Sequence, residues 1–287
     1  MSSPSAWHWW WLAARPRTLP ASLAPLVLGN GLALLDGSRG WWLAVVSLVC
    51  ATSLQVMVNF ANDLADGVGG VDNEDRLGPL RMVQQGRIAP RAMCRGIALC
   101  MAVAVLTGLV MAAASSWWLI VVGALCLLAA LGYSSGPWPL ASLGLGEVAA
   151  FVFFGPVAVA GSYFVQMGRI DDGVWLPAVA IGLPIAAIML VNNIRDIPTD
   201  TAAGKRTLAV RLGAGRARPL YWLLMLLPAL MLMTLGTWRA WLLGGLVLAA
   251  ACLLCRQLQR NQGRALNALL AQTARFALLL ALTWLAA

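Results

Sequence analysis

Residues 174–200 read VWLPAVAIGLPIAAIMLVNNIRDIPTD: eighteen positions without a charge, then Asn192, Asn193, Arg195, Asp196 and Asp200 within nine residues. An apolar run of this length crosses a hydrocarbon core about 30 Å thick as a helix, and the polar cluster falls where such a helix meets water. The pattern recurs. Residues 41–61 are apolar and lead into Asn62, Asp63 and Asp66, and further apolar runs of similar length continue to Ala287. The whole chain of 287 residues is 61% hydrophobic and 11% charged, against about 25% charged in soluble domains. A water-soluble enzyme is excluded, and the fold class is all-α, a polytopic membrane helical bundle.

Nine spans are predicted, at 18–36, 41–61, 92–113, 117–134, 144–165, 174–193, 219–236, 239–256 and 265–285, surrounding a central cavity open to the cytoplasmic side. They form one integral-membrane domain, residues 1–287, in which 1–17 is an interfacial cytoplasmic N-terminus. With the N-terminus inside, sixteen basic residues fall on the cytoplasmic face and only Arg39, Arg169 and Arg239 outside, with Arg275 inside the last span. That asymmetry is the one that orients bacterial inner-membrane proteins. It also accounts for the net charge of +9 without a nucleic-acid partner. Trp41, Trp42, Trp117, Trp118, Trp175, Trp238, Trp241 and Trp284 map to the outer span ends, where indoles favour the headgroup level. Trp7, Trp9, Trp10 and Trp11 precede Arg15 and Arg17, the reverse of a signal peptide, and predict an interfacial anchor. Arg275 is expected to meet a polar partner inside the bundle.

Seven of the eleven carboxylates lie in two segments placed on the cytoplasmic face. The first runs from Asn59 through Asn62, Asp63, Asp66, Asp72, Glu74, Asp75 and Arg76 to Arg81, and the second from Asn192 to Arg206. Superposing Asn62 on Asn192 puts Asp66 on Asp196, a shared N-x-x-x-D. Residues four apart share a helix face, so Asn62/Asp66, Asn192/Asp196 and Asp196/Asp200 each aim oxygens one way. Clustered carboxylates need a compensating cation, and oxygen donors without His or Cys favour Mg²⁺ or Ca²⁺ over zinc. Mg²⁺ binds through few carboxylates plus substrate phosphates, and Arg76, Arg81, Arg195, Lys205 and Arg206 suit direct phosphate contact. A Mg²⁺ and diphosphate site at the mouth of an apolar bundle suits a lipid with a diphosphate head and a hydrocarbon tail, and prenyl transfer fits those requirements. Solvated loop residues pairing with one another are the plainer reading of the same charges.

Other chemistries fare worse. His8, the only histidine, lies in the aromatic anchor, no GxxxxGK[ST] phosphate loop occurs, and Cys252 and Cys255 read as helix packing. Tyr133 and Glu147 flank a third cytoplasmic loop and are candidates for holding an aromatic acceptor. Tyr133 is equally placed as a membrane-edge anchor, and Glu147 as a favourable charge at a helix N-terminus.

These residues resemble a known family. Asn62 to Asp66 with Asp72, and Asn192 to Asp196 with Asp200, look like the two aspartate-rich motifs of the intramembrane aromatic prenyltransferases that make quinones. NDLADGVGGVDNEDRLGPLRMVQQG at 62–86, NNIRDIPTDTAAGKRTLAVRLG at 192–213 and RPRTLP at 15–20 are similar to the branch acting on 1,4-dihydroxy-2-naphthoate. The resemblance implies transfer of a polyprenyl group from its diphosphate to that acceptor in menaquinone biosynthesis, with loss of diphosphate and CO₂. It implies Asp66 and Asp196 as catalytic, and Asn62, Asp63, Asp66, Asp72, Asp196 and Asp200 around Mg²⁺. Asn62, Arg76, Arg81, Asn192, Arg195 and Lys205 would hold the diphosphate. Gly70 stands where the wider superfamily often has Asp, and Ser142 where a Tyr is expected before Gly144 to Glu147. A prenyltransferase for 4-hydroxybenzoate or another acceptor, a membrane transporter with mid-membrane broken helices, and a CDP-alcohol phosphotransferase are the competing readings.

Overall fold

The computed structural model describes residues 5–69, 77, 78, 80–134, 140 and 142–287. Asp72 and Arg76 lie outside the described residues, as do the side chains of Asp66 and Tyr133. The described chain is helical throughout. In order the helices are α1 (Ala6–Ala14), α2 (Leu19–Leu35), α3 (Trp41–Gly69), α4 (Pro90–Ala114), α5 (Trp118–Ser134), α6 (Gly146–Val152), α7 (Ala158–Met167), α8 (Trp175–Arg195), α9 (Ile197–Ala202), α10 (Leu208–Met233), α11 (Trp238–Arg260) and α12 (Leu266–Ala286).

Among the described residues, seven stretches are long and apolar enough to cross a membrane: Ala6–Leu35, Trp41–Ala65, Pro90–Ala114, Gly146–Met167, Asp172–Arg195, Trp238–Arg260 and Gly263–Ala286. The other two expected spans are helical but fall short on this measure. The apolar part of α5 is the shorter Trp118–Ala130, and α10 carries Arg211, Arg216 and Arg218 in its first half, where it is also broken at Gly213, whose φ of 69° and ψ of 160° leave the helical region. Glycine tolerates that conformation because it has no Cβ.

Helix α8 is the axis of the bundle. Ala178, Ile181, Leu190 and Val191 on it are fully buried, against core residues from α2, α7, α10 and α12 that include Leu28, Val159, Met225 and Leu280. The segment from α6 to α7 approaches α8 backbone to backbone through two glycines. A Cβ at Gly155 would lie 2.8 Å from the Ala178 carbonyl oxygen, and one at Gly182 would lie 2.9 Å from the Phe151 carbonyl oxygen. Between α6 and α7 the chain widens into a π turn at Phe153–Val157 containing Pro156, which has no N–H to give to the regular ladder.

A smaller core sits at the end of the bundle where α3 finishes. Ala13, Phe60, Met82, Val83, Ile88 and Met93 are buried together there, with Trp9 and Trp10 packed against them. Helix α1 therefore has two faces. Trp10 stacks edge-on against Phe60 at 5.3 Å, while Trp7 is 82% and Trp11 60% exposed. At the opposite end Trp41, Trp117, Trp118, Trp175, Trp238 and Trp241 are exposed, but Trp284, expected with them, is buried. Arg275 also corrects its expectation. It is exposed on the outer face of α12 and not turned into the bundle.

Candidate active site

The second acidic motif is shaped by a helix break. Helix α8 stays regular to Arg195, and Pro198 sits in the first turn of α9 immediately afterwards, because a proline fits the first turn of a helix and not its interior. Asp196 occupies the joint. Arg195, 5% exposed, donates from Nε to Asp196 Oδ1 at 2.7 Å and from Nη2 to Asp196 Oδ2 at 2.5 Å and Asn192 Oδ1 at 2.8 Å. Its Nη1 donates to Asn267 Oδ1 on α12 at 2.6 Å. Asp200, 8% exposed, lies one turn beyond Asp196, with Lys205 Nζ 3.5 Å from its Oδ1. Burial pushes the Asp200 carboxyl above its ordinary value. Lys205 pulls it back and the charge of Asp196 adds to the rise.

The first motif ends α3. Asp63 is 1% exposed, and its two carboxylate oxygens accept the backbone N–H groups of Met82 at 3.0 Å and Val83 at 2.9 Å. The residue expected beside the metal thus folds the following segment back onto α3. Asn59, one turn earlier, donates to the Ala14 carbonyl at 2.9 Å and ties α1 to the same helix. Asn62 is half-buried and Arg81 is 6% exposed. From α12, Asn267 Nδ2 donates to the Leu77 carbonyl at 2.8 Å, so one side chain touches both motif segments. Sequence reasoning missed Asn267. Its only cue was a polar side chain at the mouth of an apolar span.

The third loop joins the same end. Arg206 N–H donates to the Ser142 carbonyl at 3.0 Å, and Arg211 Nη2 to the Leu143 carbonyl at 2.8 Å. Gly144, at φ 77°, sits where a Cβ would be 2.9 Å from the Arg206 carbonyl oxygen. Glu147 follows on α6, 4% exposed, with Oε1 accepting from Asn193 Nδ2 at 2.8 Å and Oε2 buried without a hydrogen bond. The glycine contacts between α6–α7 and α8 bring these two side chains together.

Among the described residues no three His, Cys, Asp or Glu side chains converge on one point. The donors of the second motif are nevertheless all hard oxygens, from Asn192, Asp196 and Asp200, and a divalent cation held there would offset the negative charge that burial penalises on Asp200. That donor chemistry fits Mg²⁺.

Residues 22–286 match the UbiA prenyltransferase family. The chain belongs to that family. It is an integral membrane protein and a prenyltransferase by membership. The 1,4-dihydroxy-2-naphthoate octaprenyltransferase of Mycobacterium tuberculosis is 43% identical over 244 residues, 85% of this chain and 83% of the relative. The protein of the same name from Escherichia coli K12 is 37% identical over 256 residues, 86% and 83% of the two chains. The fold is that of a UbiA homolog from Archaeoglobus fulgidus bound to GPP and Mg²⁺, with a TM-score of 0.70 at 16% identity over 97% of this chain and 98% of that one. An apo UbiA homolog from Aeropyrum pernix K1 gives 0.71 at 18% identity over 92% and 96%.

Proposed function

We propose that this UbiA-family chain transfers a polyprenyl group from polyprenyl diphosphate to 1,4-dihydroxy-2-naphthoate, releasing diphosphate and CO₂ and giving demethylmenaquinol for menaquinone biosynthesis. The observation that carries the acceptor is likeness over more than four-fifths of the chain to relatives bearing that activity in their names. The motifs at 62–86 and 192–213 supply the residues the reaction needs.

Asp66 and Asp196 are the central carboxylates, with Asn62, Asp72, Asn192 and Asp200 completing the oxygen set for Mg²⁺ and diphosphate. When bound, Mg²⁺ neutralises charge on the departing diphosphate. Lys205, already beside Asp200, and Arg76 and Arg81 add positive charge for the phosphates. Asp63 contributes by position, holding Met82 and Val83 against α3. Glu147, with one oxygen on Asn193 and one buried and unbonded, contacts the acceptor beside the third loop, a role Tyr133 shares. The apolar bundle behind these groups houses the polyprenyl tail and keeps water from an electron-deficient prenyl carbon. Basic residues concentrate at the motif end, which we place on the cytoplasmic side of a bacterial inner membrane.

The test is acceptor preference. Purified protein in liposomes, given one long-chain prenyl diphosphate and Mg²⁺, is offered 1,4-dihydroxy-2-naphthoate and 4-hydroxybenzoate in parallel. A prenylated naphthoquinol is expected. Turnover of 4-hydroxybenzoate alone would reassign the acceptor within the same family.

A further inference from the structure

Arg195 stands in the second acidic motif and has the chemistry of a phosphate ligand, yet its surroundings assign it elsewhere. It is 5% exposed, and all three of its nitrogens donate to side-chain oxygens of the chain itself: Asp196 twice, Asn192 and Asn267. A guanidinium has five N–H groups in a fixed plane, so four committed bonds define its orientation and leave one N–H. Each Asp196 oxygen accepts one of these bonds and keeps a further lone pair, as does Asn192 Oδ1. The arginine thereby fixes the directions in which three oxygens of the motif can accept anything else.

Asn267 extends the chain of bonds. Its Oδ1 accepts from Arg195 at 2.6 Å and its Nδ2 donates to the Leu77 carbonyl at 2.8 Å. The amide is used at both ends in a sense that cannot be reversed, because a flipped amide would present N–H to a guanidinium. Leu77 belongs to the segment that follows the first acidic motif. The two motifs, far apart in the sequence, are therefore joined by Leu77, Asn267, Arg195 and Asp196 in series, with the first turn of α12 as the bracket.

We propose that Arg195 and Asn267 are positioning residues: they set the oxygens of the second motif and hold the segment beyond the first motif in register with it, and neither binds diphosphate directly. This rests on the reading of the acidic motifs as the Mg²⁺ and diphosphate site. Asn267→Asp separates the two bonds, since a carboxylate still accepts from Arg195 but has no N–H for Leu77. Arg195→Lys keeps the charge and loses the planar fork.

The experiment uses the full chain in liposomes and reads the KM for polyprenyl diphosphate, the Mg²⁺ concentration for half-activation, the KM for the aromatic acceptor, and amide hydrogen exchange over 77–88 without substrate. In Asn267→Asp the first two rise roughly tenfold, the size of a typical coupling between residues in one network. The acceptor KM stays within about twofold of wild type, as it does for a change confined to the other substrate's site. Exchange over 77–88 accelerates. Arg195→Lys shifts the same two constants, so failure of either variant to fold leaves the other decisive. Unchanged constants and unchanged exchange, or a fall in kcat alone with every constant at its wild-type value, would overturn the proposal. Asp196→Asn is the separate control. Wild-type turnover in that variant would sink the metal-site reading itself, independently of Arg195 and Asn267.

Discussion

Asp63 lies one residue from Asn62 on α3, about 100° around the helix, and that rotation changes its task. Asn62 and Asp66 share one face, whereas Asp63 points to the Met82 and Val83 amides and is buried there. Replacing it with Ala strands two buried N–H groups. Asp63→Ala is expected to cost about 2–6 kcal/mol, at about 1–3 per unsatisfied group, read as a lowered unfolding midpoint in detergent. Wild-type stability would show that the two bonds are dispensable. The sequence contained the helical offset that separates Asp63 from its neighbours, but the motif resemblance grouped it with the metal ligands. Arg195 was illegible for another reason. Its tie to Asn267 spans 72 residues, and no local pattern reports a partner at that distance.

At the scale of elements, the apolar runs placed the helices well, because a span must be long and continuous to cross lipid. What they concealed were the interruptions. The run at 144–165 is one hydrophobic stretch but three pieces, α6, a π turn at Pro156 and α7, and α10 turns at Gly213. The irregular segment packs on α8 through Gly155 and Gly182, and small residues are what allow helix backbones to approach so closely in a membrane. Gly182→Val would push α6 away from α8 and part Glu147 from Asn193. We expect a loss of about 1–3 kcal/mol from overpacking and a raised KM for the aromatic acceptor, with the KM for polyprenyl diphosphate little changed. An unaltered acceptor KM in a folded Gly182→Val protein would remove Glu147 from the acceptor site. Tryptophan at span ends was equally informative except at Trp284, where packing against the core outweighs the headgroup preference.

Over the whole molecule, polar chemistry is divided between the two ends of the bundle. The end opposite the motifs is stitched for structure: the Tyr163 hydroxyl lies between Asp36 at 2.7 Å and Asp171 at 2.8 Å and donates its one proton to either, Arg169 pairs with Asp171, and Gln166 links Asn30 to Ser38. The motif end collects α1, the described parts of both acidic segments and of the third loop, and the start of α12, with Asp63, Arg81, Glu147, Arg195 and Asp200 buried there. The fold shows which of the chain's sparse charges hold it together. The central claim is that this end uses Mg²⁺ to couple prenyl transfer to decarboxylation of a naphthoate. It is tested most directly with 1,4-dihydroxy-2-naphthoate labelled in its carboxyl carbon, a long-chain polyprenyl diphosphate and the protein in liposomes, with Mg²⁺ or with a chelator. The account predicts one labelled CO₂ released per prenylated product, abolished by chelation and restored by Mg²⁺. Label retained in the prenylated product, or equal turnover in the presence of chelator, would contradict it.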